Sequence, residues 1–152
     1  MSFAMRMNFV DVLVDGSLRN EYRGGKKMGY AFDVRLSCYR GHFLSAIDCL
    51  EVTVDGQKVS EPEITFCLNG KELSVSQVKE AYTEFWRLLD PAVIRIHQPD
   101  GLPAGEHHIV LKLMLRVPYL PLPGSENDHT YMPLDCCGEK RFQLTEAGGV
   151  LR

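Results

Sequence analysis

Apolar and polar residues alternate along most of this chain, and the alternation predicts strands. In Gly29–Tyr39 (GYAFDVRLSCY), Ala31, Asp33, Arg35 and Ser37 fall on one side and Phe32, Val34, Leu36 and Cys38 on the other. That period of two separates the faces of a strand. Asn8–Val14 (NFVDVLV), apolar with one polar interruption, predicts another strand. Cys49–Val54 (CLEVTV) and Ile64–Leu68 (ITFCL) follow, closed by Asp55-Gly56 and Asn69-Gly70. Both dipeptides tolerate positive φ and are strong hairpin signals, and two so close together predict an antiparallel meander. Ala92–His97 (AVIRIH) returns to strand. Glu106–Val117 (EHHIVLKLMLRV) is a long one, with Leu111, Leu113, Leu115 and Val117 on one face and Lys112, Met114 and Arg116 opposite. Tyr131–Leu134 and Arg141–Thr145 are shorter candidates. Between them lie Asp15–Lys27, Gly-rich and charged, a loop or ragged hairpin, and Tyr39–His42 (YRGH), a polar turn hinged on Gly41.

One segment departs from this period. Val75, Val78, Tyr82, Phe85 and Leu89 recur at spacings of 3, 4, 3 and 4, which predicts an amphipathic helix over about 75–89. Ser74 is placed to cap it, Gln77 to close a capping box, and Leu73 and Val78 to staple it. Asp90-Pro91 ends it, because the residue before proline is pushed out of the α region. Trp86 marks the edge of the stripe. Short strands, regular turns and one helix predict a mainly β class: an antiparallel two-layer β-sandwich, jelly-roll-like. A length of 152 residues gives one domain over 1–152, with 1–6 and 146–152 expected to fray.

Composition narrows the function classes. The chain is 45% hydrophobic and 24% charged, ordinary for a globular domain. A net charge of −3 supplies no general pull toward nucleic acid. No apolar run reaches the ~20 residues that cross a bilayer, and the start lacks the apolar centre of a signal peptide. The expectation is a cytoplasmic protein without a membrane partner. Five cysteines, an odd number without an export signal, point to free thiols. Cys38, Cys49 and Cys67 sit in strand patterns and read as small buried apolar residues. Cys136 and Cys137 share a turn without an obvious neighbouring base, so neither reads as a nucleophile. No CxxC pair is present for zinc.

The histidines are His42, His97, His107, His108 and His129. A metal site needs two or three around one point with a carboxylate. His107 and His108 are strand neighbours whose side chains diverge. His42 and His129 fall in loops, with Asp128 or Asp135 near His129, and spacing leaves their convergence open. The GGKK run at Gly24–Lys27 lacks the strand-before, helix-after setting of a phosphate loop. Glu61, Glu63, Glu80 and Glu84 read as solvated surface acids, and no catalytic triad is recognisable. Pro118–Pro123 (PYLPLP) is stiff and extended. It reads either as a pre-ordered arm presenting Tyr119, Leu120 and Leu122 to another surface, or as a crossing connection whose apolar groups enter the core.

The ordered set VRLSCYRGHFLSAIDCLEVTVDGQKV, ITFCLNGKELS, AYTEFW, LLDPAVIRI, GLPAGEHHIVLKLMLRVPYLPLPG and HTYMPLDCCGEKRFQL resembles the small β subunit of bacterial C-glycoside deglycosidases over roughly Met28 to Leu144. The resemblance implies a β-sandwich subunit, with no cofactor of its own, of a two-subunit enzyme. The partner would be an α subunit of sugar isomerase-like TIM-barrel type, holding a divalent metal, typically manganese, and a histidine base. The substrate would be a 3-oxo C-glucoside of a plant polyphenol, cleaved at its carbon–carbon bond by elimination, in a higher hetero-oligomer. On that basis Tyr39, Arg40, His42, Tyr119, His129 and Tyr131 are the expected substrate or partner contacts, with no catalytic or metal residue on this chain. Two rivals stand: a stand-alone carbohydrate-binding β-sandwich, and a cupin-type metalloenzyme, which lacks here the usual histidine pair separated by one residue.

Overall fold

The computed structural model describes residues 4–121 and 131–145, and among these are twelve strands and one α-helix. In chain order they are β1 (Arg19–Arg23), β2 (Lys26–Val34), β3 (His42–Phe43), β4 (Ile47–Val54), β5 (Gln57–Lys58), β6 (Ile64–Leu68), β7 (Lys71–Ser74), α1 (Val75–Lys79), β8 (Phe85–Trp86), β9 (Ala92–His97), β10 (Gly105–Pro121), β11 (Tyr131–Asp135) and β12 (Gly138–Leu144). One sheet has the order β1-β2-β9-β6-β7; the other runs β11-β10-β4-β5, with β12 also on β10. All these pairings are antiparallel, and β3 and β8 form a separate two-stranded ribbon. The core lies between the sheets. Leu111, Leu113, Leu115 and Val117 of β10 bury one face there, with Phe32 and Val34 of β2, Phe66 of β6, and Ile94 and Ile96 of β9. The mainly β, antiparallel class read from the alternation therefore holds.

β10 is the spine of its sheet. On one edge it pairs with β4 from Ile109 to Leu115. On the other it pairs first with β12, from Gly105 to Leu111, and then with β11 from Met114 onward.

The two hairpin turns form where expected, with Asp55 and Gly56 at φ 51° and 84° and Asn69 and Gly70 at 55° and 78°. They do not make a meander. β4-β5 belongs to one sheet and β6-β7 to the other, with the chain crossing at a 3-10 turn over Glu61–Glu63. A turn fixes only its own hairpin. Each hairpin has one apolar face, and crossing lets Leu50 and Val52 bury in the same core as Ile64 and Phe66.

Asn8–Val14 is not a strand. Leu13 makes an isolated bridge to Val34, while Phe9 and Val10 face outward. The Ser37 hydroxyl accepts from the Phe9 and Val10 amides at 3.0 and 3.4 Å, and Arg35 N–H donates to Val12 O at 2.9 Å. Backbone demand is met by a loop instead of a ladder. Met5 exchanges hydrogen bonds with Pro133 and Asp135 at 2.9 and 2.8 Å, so residues 5 and 6 are held against β11.

The helix begins as predicted and stops early. Ser74 Oγ accepts from Gln77 N–H at 3.2 Å and Gln77 Oε1 accepts from Ser74 N–H at 2.8 Å, a complete capping box. It ends at Lys79 instead of running to residue 89. The supposed stripe residues Tyr82 and Leu89 are 66% and 88% exposed, whereas Trp86, off the stripe, is 0% exposed. Burying the largest side chain of the segment outweighs a helical period that would have left it at the margin. Replacing Ser74 by alanine should remove the cap and cost about 1 kcal/mol, read as a lowered midpoint in chemical denaturation with an unchanged slope.

Candidate functional site

Three segments meet at one end of the molecule: the loop after β2, the β3-β8 ribbon and the far end of β10. β10 outruns β4 there, since Leu115 opposite Ile47 is the last pair and the strand continues to Pro121 alongside β11. Val117 is buried, but Pro118, Tyr119 and Leu120 are exposed. The described part of the proline arm is thus a strand end that presents its apolar groups instead of tucking them into the core. Leu122 lies outside the described residues.

The loop leans on this arm. The Tyr39 and Tyr119 hydroxyls hydrogen-bond to each other, and the Arg40 guanidinium stands over the Tyr119 ring, 5.0 Å from its centroid. A cation in that place is attracted by the ring's quadrupole. Burial, and then the Tyr39 hydroxyl, push the Tyr119 phenol above its ordinary pKa against the opposing pull of Arg40.

Gly41 carries the chain from the loop into the ribbon. A Cβ there would lie 2.4 Å from Trp86 O and 2.8 Å from the Phe85 ring, so only glycine permits the approach. His42 then pairs with Trp86, and Phe43 with Phe85. His42 is buried, with Nε2 3.5 Å from Cys38 Sγ. Burial, and then the charge of Arg40, push its pKa below the ordinary histidine value, so the ring is neutral. Phe43 and Phe85 meet edge to face, with centroids 4.9 Å apart and planes at 75°. Behind them Trp86 meets Phe66 at 5.3 Å and donates Nε1–H to Asp90 O at 2.8 Å. From β10, Arg116 donates to the Asp48 carboxylate and, at 2.9 Å, to Ser45 O. Arg40, His42, Phe43, Tyr82, Phe85, Arg116 and Tyr119 line a cavity of about 330 Å³.

Of the six residues expected at a contact site, Tyr39, Arg40 and Tyr119 are in direct contact. His42 lies beside them but is buried in the ribbon. Tyr131 is half-buried at the start of β11, opposite Pro121, at the same end of the sheet. His129 lies outside the described residues, as does Asp128. Phe43, Tyr82, Phe85 and Arg116 escaped the sequence reading. Tyr82 and Phe85 had been absorbed into a helix, and Arg116 looked like one more outward residue of a strand. The signal that could have found the ribbon is the paired aromatic dipeptide pattern of HF at 42–43 and FW at 85–86.

The remaining titratable groups are structural. His107 and His108 do diverge. His107 Nδ1 is 2.6 Å from Asp55 Oδ2 and its Nε2 is 2.7 Å from Pro103 O, while His108 Nε2 is 2.7 Å from Glu139 Oε2. Asp135 accepts from Arg6 and from Cys137 N–H, both at 2.9 Å. All five cysteines are free. Burial, with Cys38 next, pushes the Cys136 thiol up to about 12, and burial followed by Asp135 raises that of Cys137, so neither is an available thiolate. Cys49 and Cys67 are half-buried on outer sheet faces instead of sitting in the core. Among the described residues no three His, Cys, Asp or Glu side chains group as a metal site, and no helix is long and apolar enough to cross a membrane.

The chain has clear relatives. A family model described as the C-glycoside deglycosidase beta subunit matches residues 9–119, a span that includes the loop, the ribbon and the arm as far as Tyr119. The C-glycoside deglycosidase beta subunit of Eubacterium cellulosolvens is 32% identical over 129 residues, covering 80% of this chain and 88% of the relative. The 3'-dehydrocarminate deglycosidase beta subunit of a Microbacterium species is 36% identical over 98 residues, 63% of this chain and 72% of the relative. A C-glycoside deglycosidase beta subunit of Arthrobacter globiformis is 32% identical over 96 residues, 62% of this chain and 72% of the relative. This chain belongs to the C-glycoside deglycosidase beta subunit family.

Proposed function

We propose that this chain is the β subunit of a cytoplasmic two-subunit carbon–carbon lyase acting on 3-oxo C-glucosides of plant polyphenols. Its partner is an α subunit of sugar isomerase-like barrel type, in a higher hetero-oligomer, which carries the base and a divalent metal, manganese being the expected ion. The base takes the proton alpha to the sugar ketone. The electron pair left behind forms the ring alkene as the bond to the aglycone breaks, and the aglycone carbon leaves with the bonding pair and picks up a proton. The metal supplies polarisation of the ketone oxygen. It is assigned to the partner because the family resemblance places it there.

The observation that carries this reading is the cluster of exposed apolar side chains at one end of the sandwich: Tyr39, Phe43, Tyr82, Tyr119 and Leu120. Aromatic groups gathered with arginine mark interfaces. In the assembly this end covers the partner's active-site mouth and keeps water from the reacting carbons.

The test is to tag this chain, purify it with its native partner and measure the metal in the complex. A stoichiometric barrel-sized partner bearing manganese supports the reading. A well-folded, metal-free monomer that binds sugars would replace it with a carbohydrate-binding module. Within the complex, Tyr119→Ala should weaken subunit association about tenfold, the scale of an interface anchor, measured by sedimentation at falling concentration. If Tyr119→Ala and His129→Ala both leave assembly and turnover unchanged, the assignment of these two residues to the contact is wrong.

A further inference from the structure

The cavity framed by the ribbon, the Tyr39–Tyr119 pair and the end of β10 has a chemistry of its own. Phe43 and Phe85 are fixed edge to face at 4.9 Å, and Tyr82 and Tyr119 bring two more rings to its walls. A cavity of about 150 Å³ takes benzene, so a volume of about 330 Å³ holds one substituted ring with room for its oxygens. The charged groups on the walls are two guanidiniums. Arg40 is exposed, lies over the Tyr119 ring, and meets no carboxylate among the described residues. Arg116 is tethered to Asp48 and Ser45 O, which fixes the fork and leaves further N–H groups to donate.

We infer that this cavity receives the hydroxylated aryl part of the enzyme's substrate, so that this chain, resting on the functional reading above, supplies specificity for the aglycone. Planar arginine forks match phenolic oxygens on a ring's perimeter, while the contacting Phe43 and Phe85 together form one aromatic wall for the ring to lie against. An apolar side chain of the partner would fill the same space but offer no acceptor to the Arg40 guanidinium, which meets no carboxylate among the described residues. A sugar stacks on the flat face of a ring, whereas Phe43 and Phe85 meet edge to face at 75° and offer an aryl group both an edge and a face.

The test titrates resorcinol into the full chain labelled with nitrogen-15, with cyclohexane-1,3-diol and glucose as controls. Resorcinol should bind in the millimolar range with amide shifts concentrated at Gly41, His42, Phe43 and Ser45, and both controls should leave those amides unmoved. Phe85→Ala should weaken binding at least tenfold, and Arg40→Gln, at an exposed side chain that leaves the fold intact, at least threefold. Equal shifts from glucose, no shift at the cavity, or indifference to Arg40→Gln would overturn the proposal. So would loss of the resorcinol shifts on adding the partner subunit, which would mean that a partner side chain occupies the cavity. Subunit assembly, read separately by size-exclusion chromatography, tells a failure of this inference from a failure of the functional reading.

Discussion

Replacing Trp86 by alanine is expected to cost about 3–5 kcal/mol, the range for emptying a large aromatic from a core. The residue is fully buried, donates its indole N–H to Asp90 O at 2.8 Å and stands edge-on to Phe66 at 5.3 Å. It also carries the backbone against which Gly41 and His42 are laid. Its removal should therefore loosen both the core and the aromatic site in front of it. Urea unfolding would report the loss. Trp86→Phe, which keeps most of the bulk but not the donor, should lose clearly less. Equal losses for the two variants would place the stabilisation in the hydrogen bond instead of the packing.

The second large effect is expected at His107. Both ring nitrogens face acceptors, Asp55 and Pro103 O, a setting that favours the doubly donating cation. Burial works against that charge, but the Asp55 carboxylate and the Pro103 carbonyl outweigh it and raise the His107 pKa. For Asp55, burial is likewise outweighed by hydrogen bonds from His107 and the His108 amide, and its pKa falls. His107→Ala should cost about 2–3 kcal/mol at pH 6, for the loss of two charge-assisted hydrogen bonds. The signs fix the pH window. The histidine contribution is fully present below pH 6.5, its unfolded value, and is lost as pH rises through the higher folded value. The aspartate contribution is present above pH 3.8 and is lost as pH falls through the lower folded value. Stability measured from pH 6 to pH 9 should decline in the natural protein and much less in His107→Gln. A parallel decline in both would remove His107 as the cause.

Local and alternating features were legible in the sequence, and competitions between distant groups were not. Asp55-Gly56, Asn69-Gly70 and the Ser74–Gln77 capping box act over a few residues and formed as read. The long alternation from Leu111 to Val117 could bury only one face and did so. The helix stops at Lys79 and does not span 75–89, because the Phe66 ring, distant in sequence, offers Trp86 a place in the core that a local period does not encode. Asn8–Val14 failed because a single hydroxyl, that of Ser37, lies 28 positions from Phe9 in sequence and takes its amide. At the site, Tyr39, Arg40 and Tyr119 could be named as exposed aromatic and cationic groups in turns. The ribbon that joins Phe43 to Phe85 leaves almost no periodic trace, because its strands are two residues long, and only the HF and FW dipeptides hint at it.

The overhang of β10 has a bearing on solubility. Among the described residues no strand lies beside its β4-side edge past Leu115, and an open edge beside exposed aromatics is a template for chain-to-chain pairing. Asp55 N–H donates to His108 O on the β4 side, while Cys136 N–H donates to Leu113 O on the other. Even-numbered positions up to Met114 therefore face β4; the register shifts after Met114 and again between Val117 and Pro121, and the residue at 118, inside that irregular stretch, is proline. Pro118 has no N–H to offer a visiting strand. The arm can hold its tyrosine and leucine ready for a partner while Pro118 leaves any ladder with an identical chain one donor short.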